Sequence, residues 1–252
     1  LIVLLLTAAF IFTFSILVYT VQKVSTENAR NNFEETLHKS IDQTVNTAID
    51  TYSMLADTVL ETTEAKELMK AGKREELYTL LESKWNTWST INPDFKIMLF
   101  HRADGTAFLR MHKPEKYDDY LSDIRPMVKS VHEQQKILTG YETGKYSTVF
   151  RILTPIFHNG EYLGALDFGI NPNYFIKKIR RYTSQEGALF IKEENLKLFK
   201  RESSFNIHDY VLQTKTNNHI DRILKNLPST YRLADNEVIN INDSIYMIHT
   251  YN

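Results

Sequence analysis

Apolar residues fill the start of the chain without interruption by charge: LIVLLLTAAFIFTFSILVYTV, from Leu1 to Val21. A run of about 20 apolar residues matches the hydrocarbon core of a bilayer. Its only polar members, Thr7, Thr13, Ser15 and Thr20, carry hydroxyls that can bond back to helix carbonyls. Tyr19 suits the interfacial belt, and Gln22 and Lys23 mark the return to water. The pattern predicts a transmembrane helix over residues 1–22. A secretory signal peptide has an apolar core of about 7–15 residues and an Ala-x-Ala cleavage site, which this run does not match. The run opens without an initiator Met, so we read the chain as a piece of a longer one.

The period then changes to that of an amphipathic helix. Residues 24–71 contain neither Pro nor Gly, and apolar side chains recur at Phe33, Leu37, Ile41, Val45, Ile49, Tyr52, Leu55 and Val59. Steps of four and three are the helical repeat. Some 45 residues at 1.5 Å each make a rod of roughly 65–70 Å. We assign a juxtamembrane stalk helix to residues 23–72, its stripe packing on a following domain, forming a dimer seam, or both. Gly72 and Lys73 break it, and residues 74–89 read as a further helix that ends before Asn92-Pro93.

From Phe95 the sequence turns to β-branched and aromatic runs. FKIMLFH (95–101) and TAFLRMH (106–112) flank Ala103-Asp104-Gly105, a hairpin turn. Residues 121–136 read as a helix with Ser122 or Asp123 as cap and Pro126 in the first turn. ILTGYETG, STVFRILTPIFHNG and EYLGALDFGI supply three more strands, and PNYFIKKIRRY (172–182) another helix. A weaker unit follows: GALFIKE and KLFKR as a short hairpin, DRILKNL (221–227) as a helix, NEVINI and DSIYMIHTY as a terminal hairpin. The expected fold class is α+β: a long N-terminal helix and two PAS-like units, each a central antiparallel sheet flanked by helices. The boundaries are 73–183 for the larger unit, distal to the membrane, and 184–252 for the smaller, proximal one.

Composition narrows the function. Across 252 residues the net charge is −1, which leaves no basic footprint for nucleic acid. Zero cysteine removes disulfides, cysteine zinc sites and thiol nucleophiles. His132-Glu133 lacks the second histidine of a zincin, since position 136 is Lys136. His101 and His112 could meet across the first hairpin, but two ligands do not close a zinc site. No Gly-x-Ser-x-Gly elbow or phosphate-cradling loop is present. We therefore expect no catalytic activity, cofactor or metal.

LFHRADGTAFLRMHKPEKYDDYLSDIRP (99–126) and TPIFHNGEYLGALDFGI (154–170) are similar to the third subgroup of double Cache sensor domains. The whole order of elements over about residues 25–252 also resembles that family, found in bacterial chemotaxis receptors, sensor histidine kinases and diguanylate cyclases. The resemblance implies a sensor region outside the cytoplasmic membrane, in the periplasm or beyond, with ligand held by the distal unit. It implies a transmembrane signalling receptor, with a cytoplasmic output module that this sequence does not contain. The Arg-x-Trp-Tyr pattern of amino-acid-binding double Cache domains is absent.

Candidate ligand residues follow from strand alternation, since residues two apart share a face. Phe108, Arg110 and His112 fall on one face, and Lys113 follows in the loop. Arg110 offers a planar fork for a carboxylate or phosphate. Arg151 and Asp167 sit within apolar faces, where a charge must be paired or serve a site; mutual pairing is the simplest alternative. Arg125 opens a helix whose free amides favour an anion. Tyr117 and Tyr120 lie on a connecting loop, and Tyr141 and Glu142 on the third central strand. The expected partners are a small polar or anionic ligand, the membrane, and a second copy through the long helix. A periplasmic protein-interaction module is the first alternative and a membrane-tethered hydrolase the last.

Overall fold

The computed structural model describes residues 2–144, 147–196 and 205–227, with the backbone of strands 237–241 and 244–248. Helix α1 runs unbroken over Ile2–Leu60, so the apolar run and the stalk are one rod. It stops sooner than the glycine at 72 suggested: a turn at Glu61–Thr62 separates it from α2 (Thr63–Lys70). Helix α3 follows over Arg74–Ile91. Within α1 only the last third is buried, along Thr44, Ala48, Tyr52, Ala56 and Val59. The small residues at 48 and 56 let the helix lie close on the sheet, with Val45, Ile49 and Leu55 flanking the contact. That is one register step from the stripe read in the sequence.

The distal unit is a five-stranded antiparallel sheet in the order β2-β1-β5-β4-β3. Its strands are β1 (Phe95–Arg102), β2 (Ala107–Arg110), β3 (Leu138–Thr143), β4 (Thr148–His158) and β5 (Glu161–Ile170). Strands β4 and β5 are buried along most of their length, because both faces of the sheet are covered. On one side α1, α2, α3 and α5 (Asn173–Thr183) pack on Met98, Phe100, Ile152, Leu166, Phe168 and their neighbours. Phe168 contacts Tyr52, Trp88 and Phe95 edge-on, with ring centroids 6.4, 6.3 and 5.1 Å apart. On the other side α4 (Pro126–Gln134) covers a smaller layer of Leu99, Ala107, Leu121, Val128, Val131, Leu153 and Ala165. Helix α4 begins about five residues later than expected, at Pro126 itself.

The segment before α4 is a strap laid along β2. The Ala107 amide donates to Asp119 (2.9 Å), Asp118 to Ala107 (2.8 Å) and Leu121 to Gly105 (3.1 Å). At the opposite edge of β1, Gly164 has φ +141°, and a Cβ there would run into the His101 carbonyl. The glycine lets β5 lie close against β1 where His101 points toward α4.

The proximal unit holds β6 (Ala188–Lys192), β7 (Asn206–Ile207) and β8 (Tyr210–Lys215) in the order β6-β8-β7, with α6 (Asn218–Lys225). Strand β8 is absent from the sequence reading, and KLFKR lies outside the described residues. Strands β9 (Glu237–Ile241) and β10 (Ser244–Ile248) form the expected hairpin. The two units meet where the Thr148 hydroxyl donates to Gln213 (2.6 Å) and Thr214 bonds Asn173.

Replacing Phe168 by Ala removes the hub of the helix-facing core. We expect a loss of about 3–5 kcal/mol of unfolding free energy. Phe157→Ala, at a site 41% exposed, costs far less. Chemical denaturation of the two variants checks this.

Candidate functional site

Four charged side chains meet in the layer beneath α4, although that layer is otherwise apolar. Arg151 on β4 is 2% exposed and Asp167 on β5 is 0% exposed. Cross-strand register places Leu153 opposite Asp167 and Gly169 opposite Arg151, so the two charges are diagonal neighbours on one face. Nη1 of Arg151 bonds Oδ2 of Asp167. Its Nε lies 2.8 Å from Oε2 of Glu142, on edge strand β3. That N–H is not aimed along the line, so the contact is an ion pair and not a hydrogen bond. Arg125, the residue before α4, reaches the same Oε2 with Nη1 at 3.3 Å. Two guanidiniums and two carboxylates balance to zero net charge.

Glu142 also completes α4. Arg125 stands at the N-cap position and has only donors, so it cannot cap. The Met127 amide instead donates to Oε1 of Glu142 at 2.9 Å. A residue from a distant strand thus replaces the usual local cap.

Histidines extend the chain of polar groups. His101, 0% exposed, has Nε2 3.6 Å from Asp167, too far for a hydrogen bond. Its ring lies 5.7 Å from that of His132 on α4, whose Nδ1 is 2.7 Å from the Tyr162 hydroxyl. Among the described residues, Oδ1 of Asp167, both ring nitrogens of His101 and Nε2 of His132 are buried without a hydrogen-bond partner. Buried polar atoms are seldom left so. Burial alone would raise the Asp167 carboxyl pKa, but Arg151, then His101 and Arg125, outweigh it and hold it below the ordinary range. Burial, reinforced by the Arg151 charge, lowers the guanidinium pKa of Arg125. Desolvation, with His101 adding to it, pushes His132 down to about 4.

The structure brings together Arg125, Glu142, Arg151 and Asp167 of the residues named from the sequence, and adds His101 and His132. It does not bring the others there. Arg110 is buried in a bidentate pair with Asp119 (2.6 and 2.9 Å) and bonds the Lys116 carbonyl (2.8 Å), tying down the strap. His112 does not share its face. Strand β2 ends at Arg110 and the chain turns there, the Lys113 amide donating to the Arg110 carbonyl (3.2 Å), so the alternation stops and His112 lies in the helix layer, 6.3 Å from Trp85. The expected approach of His101 to His112 is corrected to His101 and His132. Lys113 is exposed. Tyr117 is exposed and lies under Arg74, whose guanidinium is 3.5 Å from the ring centre. Tyr141 points to the opposite face, against Phe150 and Phe175 at 5.0 and 5.8 Å. Glu142 could have been ranked higher: on β3 it alternates with Tyr141, and so belongs to the α4 face.

A five-stranded antiparallel sheet behind a long N-terminal helix, with a polar network under one covering helix, defines a PAS-like sensor domain. Residues 30–238 match the double Cache family described as the double sensory domain of two-component sensor kinase, and the chain belongs to that family. The periplasmic domain of Vibrio cholerae LuxQ shares the fold, with TM-score 0.51 and 10% identity over 86% of this chain and 100% of that one. The sensory domain of the Campylobacter jejuni chemoreceptor Tlp3, solved with isoleucine bound, aligns at TM-score 0.48 and 11% identity over 87% of each chain. The V. cholerae histidine kinase DctB sensor domain aligns at 0.48 and 7% identity over 62% of this chain and 61% of that one. No curated protein matches.

Both His112 and His132 have folded-state pKa values near 4, the first from burial and then the Arg110 charge, against 6.5 when free. Between those pH values the unfolded chain binds more protons than the folded one, so stability rises with pH. Unfolding free energy should fall as pH drops from about 6.5 to about 4. The slope should flatten in His112→Gln/His132→Gln, as followed by urea titration across that range.

Proposed function

We propose that the distal unit binds a small polar or anionic molecule in the layer between its sheet and α4, as the sensing step of a transmembrane receptor, without catalysis. The observation that carries this reading is the fully buried Asp167, whose Oδ1 has no partner beside Arg151, itself 2% exposed. A charge network under-satisfied at its centre contributes little to stability. It supplies donors and acceptors that a ligand can complete.

The same reading covers the setting. Helix α1 is long and apolar enough to cross a membrane by length and composition, and the described side chains among its first twenty-odd residues are exposed in the isolated chain. We place it in the bacterial inner membrane with the sheets on the periplasmic side. The exposed half of α1 presents Val21, Val24, Ser25, Asn28 and Asn32 along one face, which we assign to pairing with a second copy. Ligand shifts the receptor only by the difference in its affinity for two states. Helix α4 moves against the sheet, and α1, packed on the other face, carries the change toward the membrane.

A thermal-shift screen of the full chain in detergent against carboxylates, amino acids, amines and phosphates tests the site. A ligand at a hundredfold excess over Kd adds about 2.7 kcal/mol of stability. The shift should vanish in Asp167→Asn. A shift that survives that substitution moves the site elsewhere. A blank panel favours a protein partner, for which the strap offers exposed Tyr117, Tyr120 and Ile124.

A further inference from the structure

Glu142 is held in a way that pairing with Arg151 alone does not require. Three donors from two parts of the chain, the start of α4 and β4, converge on its carboxylate. Oε1 takes the first-turn amide of Met127 on α4 (2.9 Å). Oε2 faces Nε of Arg151 (2.8 Å) and Nη1 of Arg125 (3.3 Å). A helix N-terminal amide beside two guanidiniums is the composition of a carboxylate-binding site. Here the chain itself supplies the carboxylate.

The fit of that occupant is poor. Charge-assisted bonds of this type settle at about 2.7–2.9 Å, and the Arg125 contact is longer. Nε of Arg151, on a side chain 98% buried, stands within ion-pair distance yet makes no hydrogen bond. Among the described residues Glu142 also sits on the edge strand of the sheet, so its side chain has a border with water to turn toward. Close beside it, Gly144 leaves room for Arg125: a Cβ there would lie 2.6 Å from the guanidinium.

Charge balance decides what can enter. Two guanidiniums face two carboxylates, so a third anion added to the closed layer would be unpaired, which is costly. An incoming carboxylate that displaces Glu142 keeps the balance, and Glu142 regains its hydration at the sheet edge. We infer that the place filled by Glu142 is a carboxylate-binding site with a built-in occupant. A small monocarboxylate takes it over, and the departing Glu142 lets go of the first turn of α4. This rests on the distal layer being the sensing site, and names the ligand group that Arg151 and Arg125 receive.

Acetate is the probe, and thermal melting of the full chain in detergent is the readout. Glu142→Ala should melt below the unsubstituted protein in sodium chloride. Sodium acetate at the same ionic strength should then raise its melting temperature, with saturation. Glu142→Ala/Arg125→Ala should lose the saturable part. Equal effects of acetate and chloride on Glu142→Ala would overturn the inference. If that variant does not fold, Glu142→Gln keeps the shape and the Met127 bond while giving up the charge. It should respond at lower acetate concentration than the unsubstituted protein, and identical responses would overturn the inference. Acetate acts on the emptied place whatever the natural ligand is. A saturable response of Glu142→Ala with a blank for the unsubstituted protein in the wider screen would leave the carboxylate site standing but overturn the displacement of Glu142, and with it the sensing reading.

Discussion

Arg151 is the constraint around which the distal unit is organised. A guanidinium 2% exposed in the middle of a sheet cannot stand alone. It fixes Asp167 on β5 through Nη1 and Glu142 on β3 through Nε. Glu142 in turn receives Arg125 and the Met127 amide, so the position of α4 depends on a strand edge. Three strands and one helix are thereby joined by four charges. On the far face the same sheet is held by ordinary apolar burial around Phe168, continuous with the last third of α1. One face is thus built to hold shape, and the other contains the groups whose pairing can be exchanged.

That asymmetry links the site to the rod. Helix α1 is buried only from Thr44 onward, and joins the core on that face of the sheet through Ala48, Tyr52, Ala56 and Val59. On the proposed function, a shift in β4 or β5 caused under α4 would be felt on the opposite side of the same strands, whose alternate residues belong to the core packed on α1. Ile152 lies between Arg151 and Leu153, and Phe168 follows Asp167. The alternation that separates the two faces also couples them.

Much of this was legible in the sequence, for physical reasons. Alternating aromatic and β-branched runs gave β1, β4 and β5, and Asp104-Gly105 marked the turn after β1. The burial of Arg151 and Asp167 followed from a charge inside an apolar face. What was not legible depends on contacts distant in sequence. Helix α4 begins at Pro126 because its cap comes from Glu142, sixteen residues away from that proline, where no local signal exists. His112 left the face of Arg110 because β2 ends at Arg110 in a turn closed by the Lys113 amide, where the period of two stops. Arg110 looked like a ligand anchor, yet its partner is Asp119 of the strap, nine residues on. Strand β8 lies in a half-buried unit whose polar residues, Gln213 and Thr214, serve the contact with the distal unit and mask the strand pattern.

The central claim is that the charges beneath α4 are kept for binding and not for folding. Replacing them together, as Arg125→Leu/Glu142→Gln/Arg151→Met/Asp167→Leu, and measuring both unfolding free energy and ligand-induced stabilisation tests it most directly. Exchange of a buried ion network for apolar residues of similar volume is often neutral or stabilising by about 1–4 kcal/mol. The account predicts a folded protein at least as stable as the original and no response to the ligand. A protein that loses several kcal/mol while still responding to the ligand would contradict it.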